Sequence, residues 1–137
     1  MTRTRHPILP AALAGLIAMA AVPSADAGPR ETIIATFASQ AGTPLSAARG
    51  KAFFMGTHSG GKPDLNSCTV CHTRNLHGAG KTRVGKPIDP MAVSANPARF
   101  TDPKKVAKWF RRNCKSVLGR ECTASEKGDI LIYLSGI

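Results

Sequence analysis

The sequence predicts an all-α domain of four to five short helices. Apolar residues recur at helical spacing in four segments of the 137-residue chain, and two of these segments open on side chains that commonly cap helix N-termini. A chain of this length has room for one domain. No internal repeat or heptad pattern divides it.

Two of the helices are predicted in the first half of the domain, over residues 31–40 and residues 46–55. The residues from 56 to 63 are rich in glycine and end on proline, so they are predicted to form a loop. The apolar positions are Ile33, Ile34 and Phe37 in the first helix and Ala47, Phe53 and Phe54 in the second.

The other two helices are predicted near the C-terminus. Asp102 and Pro103 are typical of an N-cap and a first helical residue, so a helix should run from there to about Cys114. Thr123 and Glu126 have the spacing of a capping box, which opens a final helix to Ile137. The apolar stripes are Val106, Trp109 and Phe110 in the first of these helices, and Ile130, Leu131, Tyr133 and Leu134 in the second.

The segment between these helices suggests a large non-protein group in the core. Residues 73–101 lose all periodicity while Gly and Pro recur, and a loop this long is uncommon in a small domain unless it packs on something. Only 5% of the residues are aromatic, which is little material for a core. A cofactor at the centre would account for both observations.

The N-terminus has the pattern of a cleavable export signal. Basic residues precede an apolar stretch over residues 8–22, and an Ala-x-Ala site ends at Ala27. About fifteen apolar residues fall short of the roughly 20 that span a bilayer. We therefore predict a signal peptide over residues 1–27 and a soluble periplasmic domain over residues 28–137. Export argues against nucleic acid as the partner of this chain, despite its formal charge of +11.

Cys68, Cys71 and His72 form a C-x-x-C-H motif, the attachment pattern of c-type haem. Two thiols at this spacing can add to the two vinyl groups of one porphyrin, and the adjacent imidazole can bind the iron. A redox dithiol or half of a zinc site would also use a cysteine pair, but the context that each requires is missing. The sequence predicts one covalent haem c, with His72 as the proximal ligand.

The sixth position of the iron has several candidates. Electron-transfer cytochromes c use a methionine there, but no methionine follows Met91, and a loop methionine, like Met55 on a predicted helix, is more often a packing residue. His58 and His77 lie in loops close to the motif. Asn113 stands at the end of a predicted helix, where a distal ligand is expected. Spacing alone leaves these alternatives open.

Cys114 and Cys122 are the cysteines outside the motif. In an exported protein whose other cysteines carry haem, they are predicted to form a disulfide. The bridge would either brace the last two helices or rigidify the segment beside the iron. A thiolate ligand role for Cys114 is the rival interpretation, and it would leave Cys122 without a partner.

A set of stretches from about residue 45 to the C-terminus carries a family resemblance. The most specific is an Asn-Cys pair with a second cysteine eight positions further on. With the haem motif, these stretches resemble the small high-spin class I cytochromes c of the SHP type, which bind oxygen. The other matching residues are Arg49-Gly50-Lys51-Ala52-Phe53-Phe54, Gly60-Gly61-Lys62-Pro63-Asp64, Ser94-Ala95-Asn96-Pro97, Arg99-Phe100-Thr101-Asp102, Val106, Lys108-Trp109, Ser116-Val117 and Gly119-Arg120.

The resemblance implies the class I cytochrome c fold and a specific set of site residues. It makes His72 and Asn113 the axial ligands, and it pairs Cys114 with Cys122. It implies that the asparagine leaves the iron on reduction, so that ferrous haem binds O2, NO or CO. It also implies a dihaem cytochrome c and a membrane cytochrome b as electron partners. His77 departs from the family pattern, and as a ligand it would contradict an open site.

Two other functions remain open at this point. The chain could be a plain electron carrier with Met91 or a histidine as sixth ligand, or a haem subunit of an oxidoreductase complex. No second catalytic group is identifiable, so turnover stays an open question, and we favour electron transfer and ligand binding. We expect a monomer or weak dimer, in which the cations from Lys104 to Arg112 are either a solvated helix face or a surface that steers an acidic cytochrome partner.

Overall fold

The computed structural model describes residue 1 and residues 27–137, and it confirms the predicted helical domain. The predicted signal segment, residues 1–27, lies almost wholly outside the described residues. No helix in the described part of the chain is long and apolar enough to cross a membrane. The elements in this part are α1 (Pro29–Ala41), α2 (Ala47–Met55), α3 (Thr69–His72), β1 (Gly80–Lys81), β2 (Pro87–Ile88), α4 (Pro103–Leu118) and α5 (Ala124–Ser135).

Helix α5 is the centre of the fold, because both α1 and α2 pack against it. Its four predicted apolar residues, Ile130, Leu131, Tyr133 and Leu134, are all buried. The crossing with α2 depends on Gly50, where a Cβ atom would lie 2.0 Å from the backbone oxygen of Asp129. A residue without a side chain therefore lets the two backbones come together.

The same crossing contains a buried carboxylate. Asp129 is 4% exposed, and Arg49 donates to its two oxygens from Nε at 2.8 Å and from Nη2 at 3.1 Å. The backbone N–H of Ser46 donates to it as well, while the Ser46 hydroxyl caps α2 by accepting from the Arg49 N–H. These partners compensate the loss of water that burial of a charged group entails.

The core consists of two clusters that meet along α5. The larger joins α2 and α5 to the loop after the C-x-x-C-H motif, and the smaller joins α1, α4 and α5. The buried members are Phe54, Leu76, Met91, Ala92, Ile130, Tyr133 and Leu134 in the larger cluster and Ile33, Val106 and Leu131 in the smaller.

Helix α4 differs from its prediction in length. Asp102 caps it by accepting from the Lys105 N–H at 3.0 Å, as predicted, but the helix continues one turn beyond Cys114 to Leu118. It ends where Gly119 adopts a left-handed conformation, with φ at 73°. The cysteine therefore lies inside the helix, and only a short connection separates α4 from α5.

Two further predictions at the residue level were wrong. Trp109 is 48% exposed and lies outside the buried stripe of α4, and Ala47 is exposed at the start of α2. The predicted structureless loop over residues 73–101 contains the antiparallel pair β1 and β2, which turns through Gly85 at a φ of 78°. The final helix opens on the predicted Thr123–Glu126 capping box but stops at Ser135.

Candidate haem-binding site

The C-x-x-C-H motif folds into the single turn of α3. The Ser67 hydroxyl lies just before it and accepts from the Thr69 N–H at 3.2 Å, while the His72 N–H donates to the Cys68 oxygen at 3.1 Å. This turn brings together the predicted attachment residues Cys68 and Cys71, whose thiols are not in a disulfide. Burial raises the pKa of the Cys68 thiol to about 11, so this sulfur is a neutral thiol at neutral pH.

The His72 imidazole is held neutral by its surroundings. Its ring lies 5.8 Å from the ring of Phe54, which is 3% exposed and belongs to the larger core cluster. Burial, and secondarily the charge of Arg99, lowers the pKa of His72 to about 4. Its Nδ1 atom is buried and has no hydrogen-bond partner among the described residues. A neutral imidazole is the form that binds a metal ion.

The short strand β1 supports the motif from behind. A Cβ atom at Gly80 would lie 2.2 Å from the Cys71 oxygen and 3.0 Å from the His72 Cα. Only glycine can therefore bring the strand this close to α3. Sequence reasoning missed this residue, because a single glycine in a glycine-rich loop gives no distinguishing signal.

The predicted distal ligand lies on α4. Asn113 is exposed and follows Trp109 by four residues, so the two side chains lie on the same face of the helix. The buried stripe of α4 contains Val106, Cys114 and Val117 instead. The face with Trp109 and Asn113 thus presents a large aromatic ring and a carboxamide side by side, outside the protein core.

Two attachments hold the end of α4 that follows Asn113. Cys114 and Cys122, both buried, are joined by a disulfide with their Cα atoms 5.6 Å apart. The loop that leads into the haem motif packs on the same end, where the Lys62 N–H donates to the Ser116 oxygen at 2.8 Å. A Cβ atom at Gly61 would lie 2.3 Å from that Ser116 oxygen. We call this contact the glycine clasp, residues 60–62 against residues 116–119.

The other candidates for the sixth ligand occupy different positions. Met91 is 9% exposed within the larger core cluster, and Met55 packs against that cluster. His58 is half-buried, and its Nε2 atom contacts the Phe53 oxygen at 2.8 Å, while its ring lies 4.6 Å from the Phe53 ring. His77 is exposed. Met91 and His58 are thus engaged in packing and hydrogen bonding within the protein.

These residues fit a covalently attached haem. One helical turn contains two thiols and a neutral imidazole with an unpartnered nitrogen, which is the donor set that haem c requires. Val70 on that turn and Trp109 on α4 are each 48% exposed, and an apolar macrocycle would cover such surfaces. The structure connects the motif with α4 through the glycine clasp.

Known proteins with related sequences and structures are cytochromes c. A family model described as a domain of unknown function, DUF1924, matches residues 40–134. The chain is 48% identical over 132 residues to the cytochrome c-type protein SHP of Cereibacter sphaeroides, and the match covers 96% of this chain and 98% of that protein.

Solved structures give the same result. Oxidized SHP, described as an oxygen binding cytochrome c, matches with a TM-score of 0.77 and 50% identity over 82% of this chain and 100% of that chain. The solution structure of cytochrome c'' from Methylophilus methylotrophus, described with insights into haem-ligand detachment, matches with a TM-score of 0.61 and 34% identity. That match covers 77% of this chain and 90% of the other.

Proposed function

The chain belongs to the SHP-type cytochromes c, and from this premise we propose that it is an exported monohaem cytochrome c that binds O2, NO or CO in the ferrous state. Family membership implies a haem cofactor. One covalent haem c per chain, the periplasmic location and the removal of residues 1–27 are parts of the proposal.

The residues of α3 hold the group in this proposal. Cys68 and Cys71 form the two thioether bonds, and His72 provides the fifth ligand from a position already fixed by Phe54 and the core. When bound, haem supplies an iron centre that can exchange one electron and take up a small ligand. The lowered pKa of His72 keeps the imidazole free of a competing proton at neutral pH.

Asn113 provides the sixth ligand and leaves when the iron is reduced. The observation that carries this assignment is the exposed position of Asn113 beside Trp109. Met91, the competing candidate, is buried in the larger core cluster. A neutral carboxamide is a weak ligand. Its departure exposes a coordination position without any change in the core, because the buried stripe of α4 does not include it.

The electron that converts the ferric to the ferrous state comes from a partner protein. The family resemblance points to a dihaem cytochrome c and a membrane cytochrome b as its source. A competing function, an electron carrier with Met91 or a histidine as sixth ligand, makes a different spectroscopic prediction. A haem subunit of an oxidoreductase complex is the other competing function.

Optical spectra of the purified haem protein test the proposal. We expect a high-spin charge-transfer band in the ferric protein and rapid binding of CO by the ferrous protein. A low-spin ferric spectrum with a methionine-to-iron band would overturn the assignment in favour of Met91. Slow CO binding limited by loss of a histidine would favour a bis-histidine electron carrier.

The variant Asn113→Ala tests the ligand itself. We expect it to change the ferric spectrum, because the amide ligand is removed, and to leave CO binding by the ferrous protein as fast as before. Asn75→Ala is the matched control, since Asn75 is exposed and it is its backbone oxygen that accepts hydrogen bonds, from the Thr73 hydroxyl and the Gly78 N–H. Identical ferric spectra for Asn113→Ala and the wild type would remove Asn113 from this role.

A further inference from the structure

Helix α4 carries an unusual concentration of uncompensated positive charge. It contains six basic residues and no acidic residue, and all six are exposed. None of them has an ion-pair partner in the described part of the chain. The six are Lys104, Lys105, Lys108, Arg111, Arg112 and Lys115.

The spacing of these charges destabilises the free helix. Lys104 and Lys108, Lys108 and Arg112, and Arg111 and Lys115 are each four residues apart, and like charges at this spacing repel one another. An acidic surface placed against the helix would relieve this repulsion. The isolated protein lacks such a surface at α4 among its described residues.

A groove of about 650 Å³ lies along the second half of this helix. One acidic residue, Glu121, lines the groove and lies 4.0 Å from Lys127. Glu126 binds the lining Arg120 through two hydrogen bonds of 2.9 and 2.7 Å. Four lining cations therefore remain without a carboxylate partner among the described residues. The groove is lined by Lys62, Arg111, Arg112, Lys115, Ser116, Gly119, Arg120 and Glu121.

The groove adjoins the proposed distal site. Arg112 precedes Asn113 in the chain, and its guanidinium lies 5.2 Å from the centre of the Trp109 ring, with the Lys108 ammonium 5.5 Å from the same ring. The positive charge thus extends from the groove to the exposed aromatic residue beside Asn113. A protein bound here would lie next to the haem site.

We propose that this groove docks an acidic surface of the protein that delivers the electron. The proposal rests on the proposed function, since it assumes that the iron is reduced by a partner. On docking, the partner loses one electron and ferric iron gains it. An acidic protein surface fits better than a single small anion, because the cations extend over about 16 Å of helix, from Lys104 to Lys115, well beyond the groove itself.

Reduced flavodoxin, an acidic flavoprotein, is a suitable probe for this surface. The test compares the wild-type holoprotein with Arg111→Glu/Lys115→Glu, which reverses two groove charges. These residues lie two positions before and after Asn113, so their side chains do not face it on the helix. The matched control is Lys51→Glu/Lys86→Glu, which changes the net charge equally at exposed positions on α2 and beside β2. The readouts are the rate of haem reduction by stopped flow, and the salt concentration that elutes each protein from immobilised oxidised flavodoxin.

We expect the groove variant to be reduced about tenfold more slowly at low ionic strength and to elute at lower salt, with the difference fading as salt rises. The control should change less than about threefold. The milder variant Arg111→Gln/Lys115→Gln should fall between the wild type and the charge reversal. Equal effects of the groove and control substitutions, or no effect of either, would overturn the proposal.

The binding of CO separates this proposal from the proposed function. The groove variants should bind CO in the ferrous state at the wild-type rate, because neither substituted residue touches the proposed iron ligands. If the wild type itself failed to bind CO, the proposed function would fail, while elution from flavodoxin would still report on the groove.

Discussion

The two proposed iron ligands stand in contrasting surroundings. His72 lies in a single turn whose neighbours include Phe54 of the larger core cluster, and the glycine at position 80 brings β1 against the same turn. Asn113 lies exposed on α4 beside the half-exposed Trp109. One ligand is therefore built into the packed interior, and the other lies outside the buried face of its helix.

This contrast suits a site with one permanent and one replaceable ligand. Displacing His72 would disturb the packing of α3 on the core, whereas displacing the Asn113 side chain leaves the buried residues of α4 in place. Substitutions that affect only one of these regions can show whether their roles are as separate as the structure indicates.

The largest effect is expected from Gly50→Ala, which disrupts the core that holds α3. The new Cβ atom would lie 2.0 Å from the backbone oxygen of Asp129. Helices α2 and α5 must therefore move apart, which should lower the free energy of unfolding by about 3 kcal/mol. Chemical denaturation of the holoprotein measures this loss in the free energy of unfolding. Gly136→Ala is the control, because its Cβ atom would have no neighbour closer than 3.5 Å. Similar losses in both variants would contradict the importance of this crossing.

A smaller effect is expected from the double variant Cys114→Ser/Cys122→Ser, which releases the end of α4. The bridge spans a sequence separation of 8, and its loss should reduce the unfolding free energy by about 2–3 kcal/mol. We also expect a changed ferric spectrum, because Asn113 directly precedes Cys114, but an unchanged CO complex, which depends on His72. A variant with wild-type stability and an unchanged ferric spectrum would show that the disulfide does not organise this region.

The smallest effect is expected from Glu126→Ala at the start of α5. Glu126 accepts from the Thr123 N–H and from Arg120, and the hydrogen bond from Arg120 is the main reason that the pKa of Glu126 lies below its ordinary value. Its loss should cost about 1 kcal/mol at neutral pH.

The effect of Glu126 should also depend on pH. Because the folded pKa is lowered, the stabilisation is complete above the ordinary value of 4.5 and disappears as the pH falls through the lowered value. The difference in unfolding free energy between wild type and Glu126→Ala should therefore narrow in acid. An equal difference at neutral and at acidic pH would contradict this role of the Glu126 carboxylate.

Local chemistry explains the parts of the fold that the sequence predicted well. Asp102 and Thr123 cap the helices that they were predicted to cap, because the hydrogen bonds involved join residues three positions apart. The C-x-x-C-H motif likewise specifies attachment chemistry within five residues. The predicted apolar residues of α5 are buried, because both α1 and α2 pack against this helix.

The parts that were predicted less well depend on contacts between distant segments. Trp109 was assigned to the buried stripe because periodicity counts it as apolar, and only the packing of α4 shows that the face with Trp109 and Asn113 lies outside the core. The close approaches of Gly50, Gly61 and Gly80 could not be read from the sequence, because each depends on a backbone that is remote in the chain. The helical turn after Cys114 was missed, although Gly119 is a typical C-terminal signal.

The glycine clasp has a consequence for how fast the sixth ligand can exchange. With the Ser116 oxygen bonded to the Lys62 N–H and Cys114 tied to Cys122, the backbone on the C-terminal side of Asn113 is fixed to two other segments. In the proposed site, the Asn113 amide would then leave by rotation about its own side-chain bonds rather than by unwinding of the helix. Rotations of exposed side chains take picoseconds to nanoseconds. Release of the amide should therefore not limit the rate at which a coordination position becomes free after reduction.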